Sequence, residues 1–141
     1  MDVVLHGVSA EGERWTLNSE DTPLGPGVSL EVRTPGGRRR FGRTGSSTPL
    51  RPGKVLEGDL ACGERGEPST LVLKLRADVR AVVVHLSDGT REDLLVADDP
   101  RRRCLRWSVL LYPRHLDVRR IDVYDAAGAA LHDAALAQGA T

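Results

Sequence analysis

At 141 residues, 40% apolar, with twenty acidic and twenty basic side chains, the chain has the make-up of one soluble globular domain. It is long enough to bury about 70% of its extended-chain surface. The balanced charge excludes a global field that would draw it to nucleic acid or an anionic membrane, and no apolar run approaches the ~20 residues that span a bilayer.

The opening MDVVLHGV lacks the basic n-region and long apolar h-region of a signal peptide. A cytoplasmic location is therefore expected, with Cys62 and Cys104 as separate buried thiols and not a bridge. The bases comprise eighteen arginines and only Lys54 and Lys74, a bias that fits a GC-rich bacterial genome.

Along the chain, residues 3–8 and 12–17 have strand character, with Trp15 and Leu17 sharing a face. Residues 18–27 hold Pro23, Gly25, Pro26 and Gly27 and read as a loop. Residues 28–33 alternate cleanly, with Val28, Leu30 and Val32 inward. Pro35-Gly36-Gly37 turns the chain into a weaker arm at 38–42. Residues 44–53 contain Pro49 and Pro52 and read as irregular. Strands follow at 54–62 and at 70–76, where Leu71, Leu73 and Leu75 point inward.

Residues 79–98 carry the clearest signal. Two apolar runs flank Asp88-Gly89, which suits a two-residue type I′ turn, and the β-branched run Val82-Val83-Val84 favours a strand. That turn puts Val83 opposite Leu94, His85 opposite Glu92 and Ala81 opposite Val96. Both faces are apolar near the middle, so this hairpin is expected to be central and covered on both sides. Asp98-Asp99-Pro100 ends it. Next comes a strand at 104–112 with Leu105, Trp107, Val109 and Leu111 inward. Another at 118–125 turns Ile121 and Val123 inward and Asp122 and Tyr124 outward. A short strand near 129–132 completes the set.

No stretch shows a 3.6-residue period, and short strands separated by Gly/Pro turns indicate a sandwich or barrel. The expected fold is all-β: one domain over residues 1–133, a sandwich of about nine strands, with 134–141 as a frayed tail. A partly closed barrel is the alternative. Residues 79–131 resemble immunoglobulin-like β-sandwich domains of the kind common in uncharacterised bacterial proteins. The shared features are V-x-V-x-L-x-D-G-T from Val82 to Thr90, the aromatic-bearing strand around Trp107, and V-x-x-I-D-V-Y-D-A-A-G from Val118 to Gly128. The resemblance implies a sandwich and carries no activity, cofactor or site with it.

Chemistry-bearing motifs are sparse. Residues 37–44 match the phosphate-loop pattern with Arg43 in place of lysine, but Gly45-Ser46-Ser47-Thr48-Pro49 cannot open the helix that motif needs. The surrounding segment 33–54 has seven basic residues and no acid, which makes Arg38, Arg39, Arg40 and Arg43 a candidate anion-binding set. A solvated loop is the preferred reading of it. Arg101-Arg102-Arg103 and Arg119-Arg120 sit beside aspartates and read as local ion pairs. His6, His85, His115 and His132 lack metal-ligand spacing, and no serine sits in G-x-S-x-G. Trp15 and Trp107 are core candidates. Tyr124, with His85 and Glu92 as a cross-strand pair, is the better candidate for surface contact.

Three functions follow as expectations. The first is a non-catalytic binding or regulatory module with a protein partner and no cofactor. The second is a binder of nucleic acid or another polyanion through residues 33–54. The third is an enzyme whose site is assembled from residues distant in sequence.

Overall fold

The computed structural model describes residues 2–23, 25–36, 40–64 and 66–133, with residues 40–43 described by backbone alone. Among them are twelve strands and no helix. The first four are β1 (Asp2–Val8), β2 (Arg14–Thr22), β3 (Gly25–Arg33) and β4 (Arg40–Ser46). They form an antiparallel meander, sheet I.

The region expected to be a loop is the β2–β3 hairpin, paired from Arg14↔Arg33 to Thr22↔Gly25. Its prolines do not break the ladder because Pro23 is outside both strands and Pro26 is the second residue of β3. There, next to the hairpin end, one missing N–H donor is tolerated. Gly25 takes φ +115°, and the Thr22 hydroxyl donates to its carbonyl at 2.7 Å.

The remaining strands are β5 (Leu56–Ala61), β6 (Ser69–Arg76), β7 (Ala81–Leu86), β8 (Arg91–Leu94), β9 (Ala97–Asp98), β10 (Leu105–Tyr112), β11 (Val118–Tyr124) and β12 (Ala130–Leu131). They divide into sheet II, in the order β5-β6-β10-β9, and sheet III, in the order β12-β11-β7-β8. All pairings are antiparallel, and no sheet closes into a barrel.

Two apolar clusters show how the sheets stack. Leu5, Leu17, Val28, Leu30 and Val32 of sheet I meet Val72, Leu105, Trp107, Val109 and Leu111 of sheet II. Leu71, Leu73, Leu75, Leu110 and Tyr112 of sheet II meet Val82, Val84, Leu86 and Val123 of sheet III. Sheet II is therefore the middle of three layers. Its strands β6 and β10 bury nearly every residue on both faces, as a doubly covered sheet requires. The central position expected for the 79–98 hairpin belongs to β6 and β10, and the hairpin lies in an outer layer.

The hairpin register also differs from the expectation by one residue. Val82 faces Leu94, Val83 faces Asp93, Val84 faces Glu92 and His85 faces Arg91. The connection has three residues, Ser87-Asp88-Gly89. The Gly89 N–H donates to the Leu86 carbonyl at 3.0 Å, and Leu86 N–H donates to Thr90 at 2.9 Å. Gly89 takes the left-handed conformation at φ +87°, and Asp88 accepts the Thr90 N–H at 2.8 Å. This is a three-residue loop closed by a left-handed glycine, the other common use of Asp-Gly in hairpins.

Trp107 is 3% exposed in the core between sheets I and II. Its indole N–H donates to Asp99 at 2.8 Å, and the second carboxylate oxygen of Asp99 accepts the backbone N–H groups of Arg101 and Arg102. Trp15 packs against the same cluster but is only half-buried. Cys62 and Cys104 are both free, as expected, but both are exposed and not buried. They sit just outside β5 and β10, where the alternation that would turn them inward no longer applies.

Candidate functional site

The one-residue change of register reassigns two of the expected surface residues. Glu92 is on an edge strand opposite Val84, which is fully buried. It therefore belongs to the core-facing side of sheet III and not beside His85. Its half-buried carboxylate lines a cleft of about 360 Å³ between the end of β1 and the edge strand β8. Trp15, Leu94, Leu95, Val109 and Pro113 supply much of the apolar wall, and His6, Asp93 and Ser9 are polar groups of the lining.

Two of the most exposed large apolar side chains, Val8 at 66% and Leu95 at 69%, belong to this cleft. The close approach of β1 to the indole is permitted by Gly7. A Cβ there would lie 2.8 Å from Trp15 Cζ2. Ser9 is occupied by Glu13, whose carboxylate accepts its hydroxyl. Asp93 pairs at 3.6 Å with Arg91. Glu92 makes no hydrogen bond or ion pair among the described residues.

His85 finds a different carboxylate. On the outward face of sheet III its Nε2 is 2.9 Å from Asp122 on β11, and the Arg120 Nε donates to the same oxygen at 3.1 Å. Burial acts to raise the Asp122 carboxyl, but the His85 hydrogen bond and the Arg120 charge outweigh it and hold the group below the ordinary carboxylate range. Val83, paired with Asp122 in the register, is 4% exposed yet belongs to neither core cluster. Tyr124, opposite Ala81 on the same face, is half-buried.

Two serines of this half of the chain are engaged away from this histidine. Ser87 accepts the Asp117 N–H at 2.9 Å, and fully buried Ser108 donates to Leu95 at 2.6 Å. Among the described residues no group of three or more His, Cys, Asp or Glu could hold a metal ion. No helix there is long and apolar enough to cross a membrane.

A groove of about 400 Å³ runs between Val55-Leu56 and the strands β11 and β12. Its carboxylate, Asp133, accepts the Val55 N–H at 2.8 Å and the Lys54 ammonium at 3.0 Å. The backbone bond first, then Lys54, holds that carboxyl below its ordinary range. Unlike Glu92, it already has partners.

The basic segment divides. Arg38 and Arg39 lie outside the described residues. Arg40 and Arg43 are on β4, opposite Arg33 and Leu30, in rows of opposite parity. Residues 40–46 form this strand and not the helix a phosphate loop needs. Arg51 and Lys54 pair with Glu57 and Asp133. Arg101 pairs with Asp21 at the far end of the β2–β3 hairpin. That end is seven residues, roughly 23 Å, along β2 from Arg14 and the Arg33 row. Among the described residues, Arg101 therefore lies well away from Arg33.

The sequence reading missed Arg14, which the β2–β3 register places directly opposite Arg33. It also missed the pairing of Asp99 with Trp107. No protein-family model matches this chain, and no curated protein or solved structure does.

Proposed function

We propose that the chain is a non-catalytic binding module built on an immunoglobulin-like sandwich, and that the cleft between β1 and β8 receives an apolar segment bearing a cationic group. The fold part is supported by strand order. In sheets II and III, β5-β6-β10-β9 and β12-β11-β7-β8 follow the order A-B-E-D and G-F-C-C′ of immunoglobulin-type domains. Sheet I is then an additional layer on the A-B-E-D face.

The functional part is carried by one observation. Glu92 is a half-buried carboxylate with no partner among the described residues, in a cleft otherwise largely apolar. A carboxylate so placed loses part of its hydration without receiving a hydrogen bond in return. A Lys or Arg side chain, or a free amine, flanked by apolar groups would supply one. Its apolar flanks would cover Val8 and Leu95. Apolar clefts with a few directed polar groups are the usual form of binding sites.

The test is chemical-shift mapping on the ¹⁵N-labelled chain with acetyl-Leu-Arg-Leu-amide, and with acetyl-Leu-Glu-Leu-amide as the charge-reversed control. Shifts confined to residues 6–10, 86, 92–95 and 109–113, seen with the arginine peptide alone and lost in Glu92→Gln, are the expected result. Shifts at another surface, or an unaltered response in Glu92→Gln, would refute the assignment.

A further inference from the structure

We propose that the partner is held as an added strand: an extended segment of another protein pairs antiparallel along the free edge of β8, with a Lys or Arg directly opposite Glu92. This rests on the reading of the β1–β8 cleft given above and specifies how that cleft grips its ligand. Main-chain hydrogen bonds give such an interface its affinity, and alternate side chains give it specificity.

β8 is the last strand of sheet III, and among the described residues its one strand pairing is with β7. An edge strand carries a row of main-chain groups that its own sheet does not use. The hairpin loop shows which groups these are. Leu86 donates its N–H to the Thr90 carbonyl, so Leu86 and Thr90 are hydrogen-bonded across the ladder. Antiparallel pairs alternate between hydrogen-bonded and non-hydrogen-bonded. Val84 with Glu92 and Val82 with Leu94 therefore belong to the first kind, and His85 with Arg91 and Val83 with Asp93 to the second. The main-chain N–H and carbonyl groups of Arg91 and Asp93 point away from β7, along the free edge. No turn or loop amide among the described residues bonds to them.

A strand laid antiparallel on this edge bonds to Arg91 and Asp93. One of its residues then comes opposite Glu92 in a non-hydrogen-bonded pair, where side chains approach most closely. That side chain shares the face of Glu92, which is the cleft side. The side chain two residues earlier in the incoming strand comes opposite Leu94, where the cleft wall is apolar. The residues on either side of the cation stay on the outward face beside Arg91 and Asp93, which are both exposed. The pattern that fits is therefore apolar, polar, cation, polar.

Glu92 also sets which strands are refused. An inward-pointing charge on an edge strand is a common guard against unwanted pairing. An apolar side chain opposite Glu92 would seal a carboxylate from water with no hydrogen bond in return. An acidic one would be repelled, and this includes β8 of a second copy aligned about its own Glu92. A Lys or Arg supplies both the counter-charge and a charge-assisted hydrogen bond. One carboxylate thus rejects most strands and admits a single class.

The test is an N-methyl scan of acetyl-Leu-Thr-Arg-Thr-Leu-amide against the ¹⁵N-labelled full chain, read as affinity and as amide hydrogen exchange. Methylating the amide nitrogen of either threonine replaces a bond to Asp93 or Arg91 with a methyl group, and should weaken binding by about tenfold or more. The arginine amide points away from β8, so methylating it should change affinity by less than about threefold. The analogue with glutamate in place of arginine should not bind, and Glu92→Gln should lose most of the binding. In the free chain the Arg91 and Asp93 amides should exchange fast and those of Glu92 and Leu94 slowly. With peptide, Arg91 and Asp93 should become as slow as their neighbours.

Equal affinity for the three methylated peptides, with Glu92 still required, would overturn strand addition and leave the cleft reading standing. Slow exchange at Arg91 and Asp93 without peptide would show the edge already covered, and would overturn it too. No binding by any arginine peptide would remove the cleft reading itself, and the added strand with it.

Discussion

The link between Trp107 and Asp99 allows a stability prediction worked from geometry. Asp99 is 5% exposed and accepts three hydrogen bonds, from the Trp107 indole at 2.8 Å and from the backbone of Arg101 and Arg102 at 2.8 and 3.0 Å. Asp99→Ala leaves the buried indole N–H unpaired, which costs ~1–3 kcal/mol, and removes two bonds to loop amides that can turn partly to water, together about 1 kcal/mol. The expected loss is ~2–4 kcal/mol. Trp107→Phe keeps much of the ring volume but removes the N–H, so its effect should be smaller. The two changes share one bond, and the double variant should be less destabilised than the sum by ~1–2 kcal/mol. Trp107→Ala, which also opens a cavity against Leu105, Val109 and Leu111, should cost ~3–5 kcal/mol. Urea denaturation of the four variants and the parent decides the matter. Additivity of Asp99→Ala and Trp107→Phe within ~0.5 kcal/mol would mean the bond contributes nothing.

A Cβ at Gly63 would overlap the backbone oxygens of Glu67 and Pro68. Neither can swing aside as a side chain would, so Gly63→Ala should lower the urea-derived stability by ~1–3 kcal/mol. The Asp133 carboxyl, depressed by the Val55 N–H and then by Lys54, stabilises the fold fully above its unfolded value of ~3.9. That contribution is lost as pH falls through the lower folded value. Stability of the parent minus that of Asp133→Asn should be about 1 kcal/mol or less at pH 7, given the half-exposed pair, and should close below about pH 4. A gap that widens on acidification would contradict this. Because Cys62 and Cys104 are both free and exposed, a thiol reagent should titrate two groups per native chain without denaturant; one or none would contradict the structure.

The all-β class and most strand positions were legible because period-two alternation at 28–33, 70–76 and 104–112 follows directly from burial. Three features were hidden. Asp-Gly suits both a two-residue and a three-residue hairpin loop, and one residue of difference carried Glu92 to the cleft side and left His85 to Asp122. Pro23 and Pro26 masked the β2–β3 hairpin, and with it the register that brings Arg14 to Arg33. The third layer was invisible because an apolar face does not name its partner. Alternation showed that Leu17, Val28, Leu30 and Val32 point inward, not that Trp107 and Leu111 would cover them.

That third layer has a consequence for synthesis. Sheet I is a meander of sequence neighbours and can pair as soon as β4 is available. Its inner face, ending at Val32, can meet Val72 of β6 first, but most of its cover waits for Leu105–Tyr112, roughly seventy residues later. At ~5–20 residues per second of translation, the ribosome leaves much of that apolar face uncovered for about 4–14 s. The nascent meander is therefore the segment most in need of a holding chaperone. A pause in translation before β10 should reduce soluble yield more than the same pause placed after it.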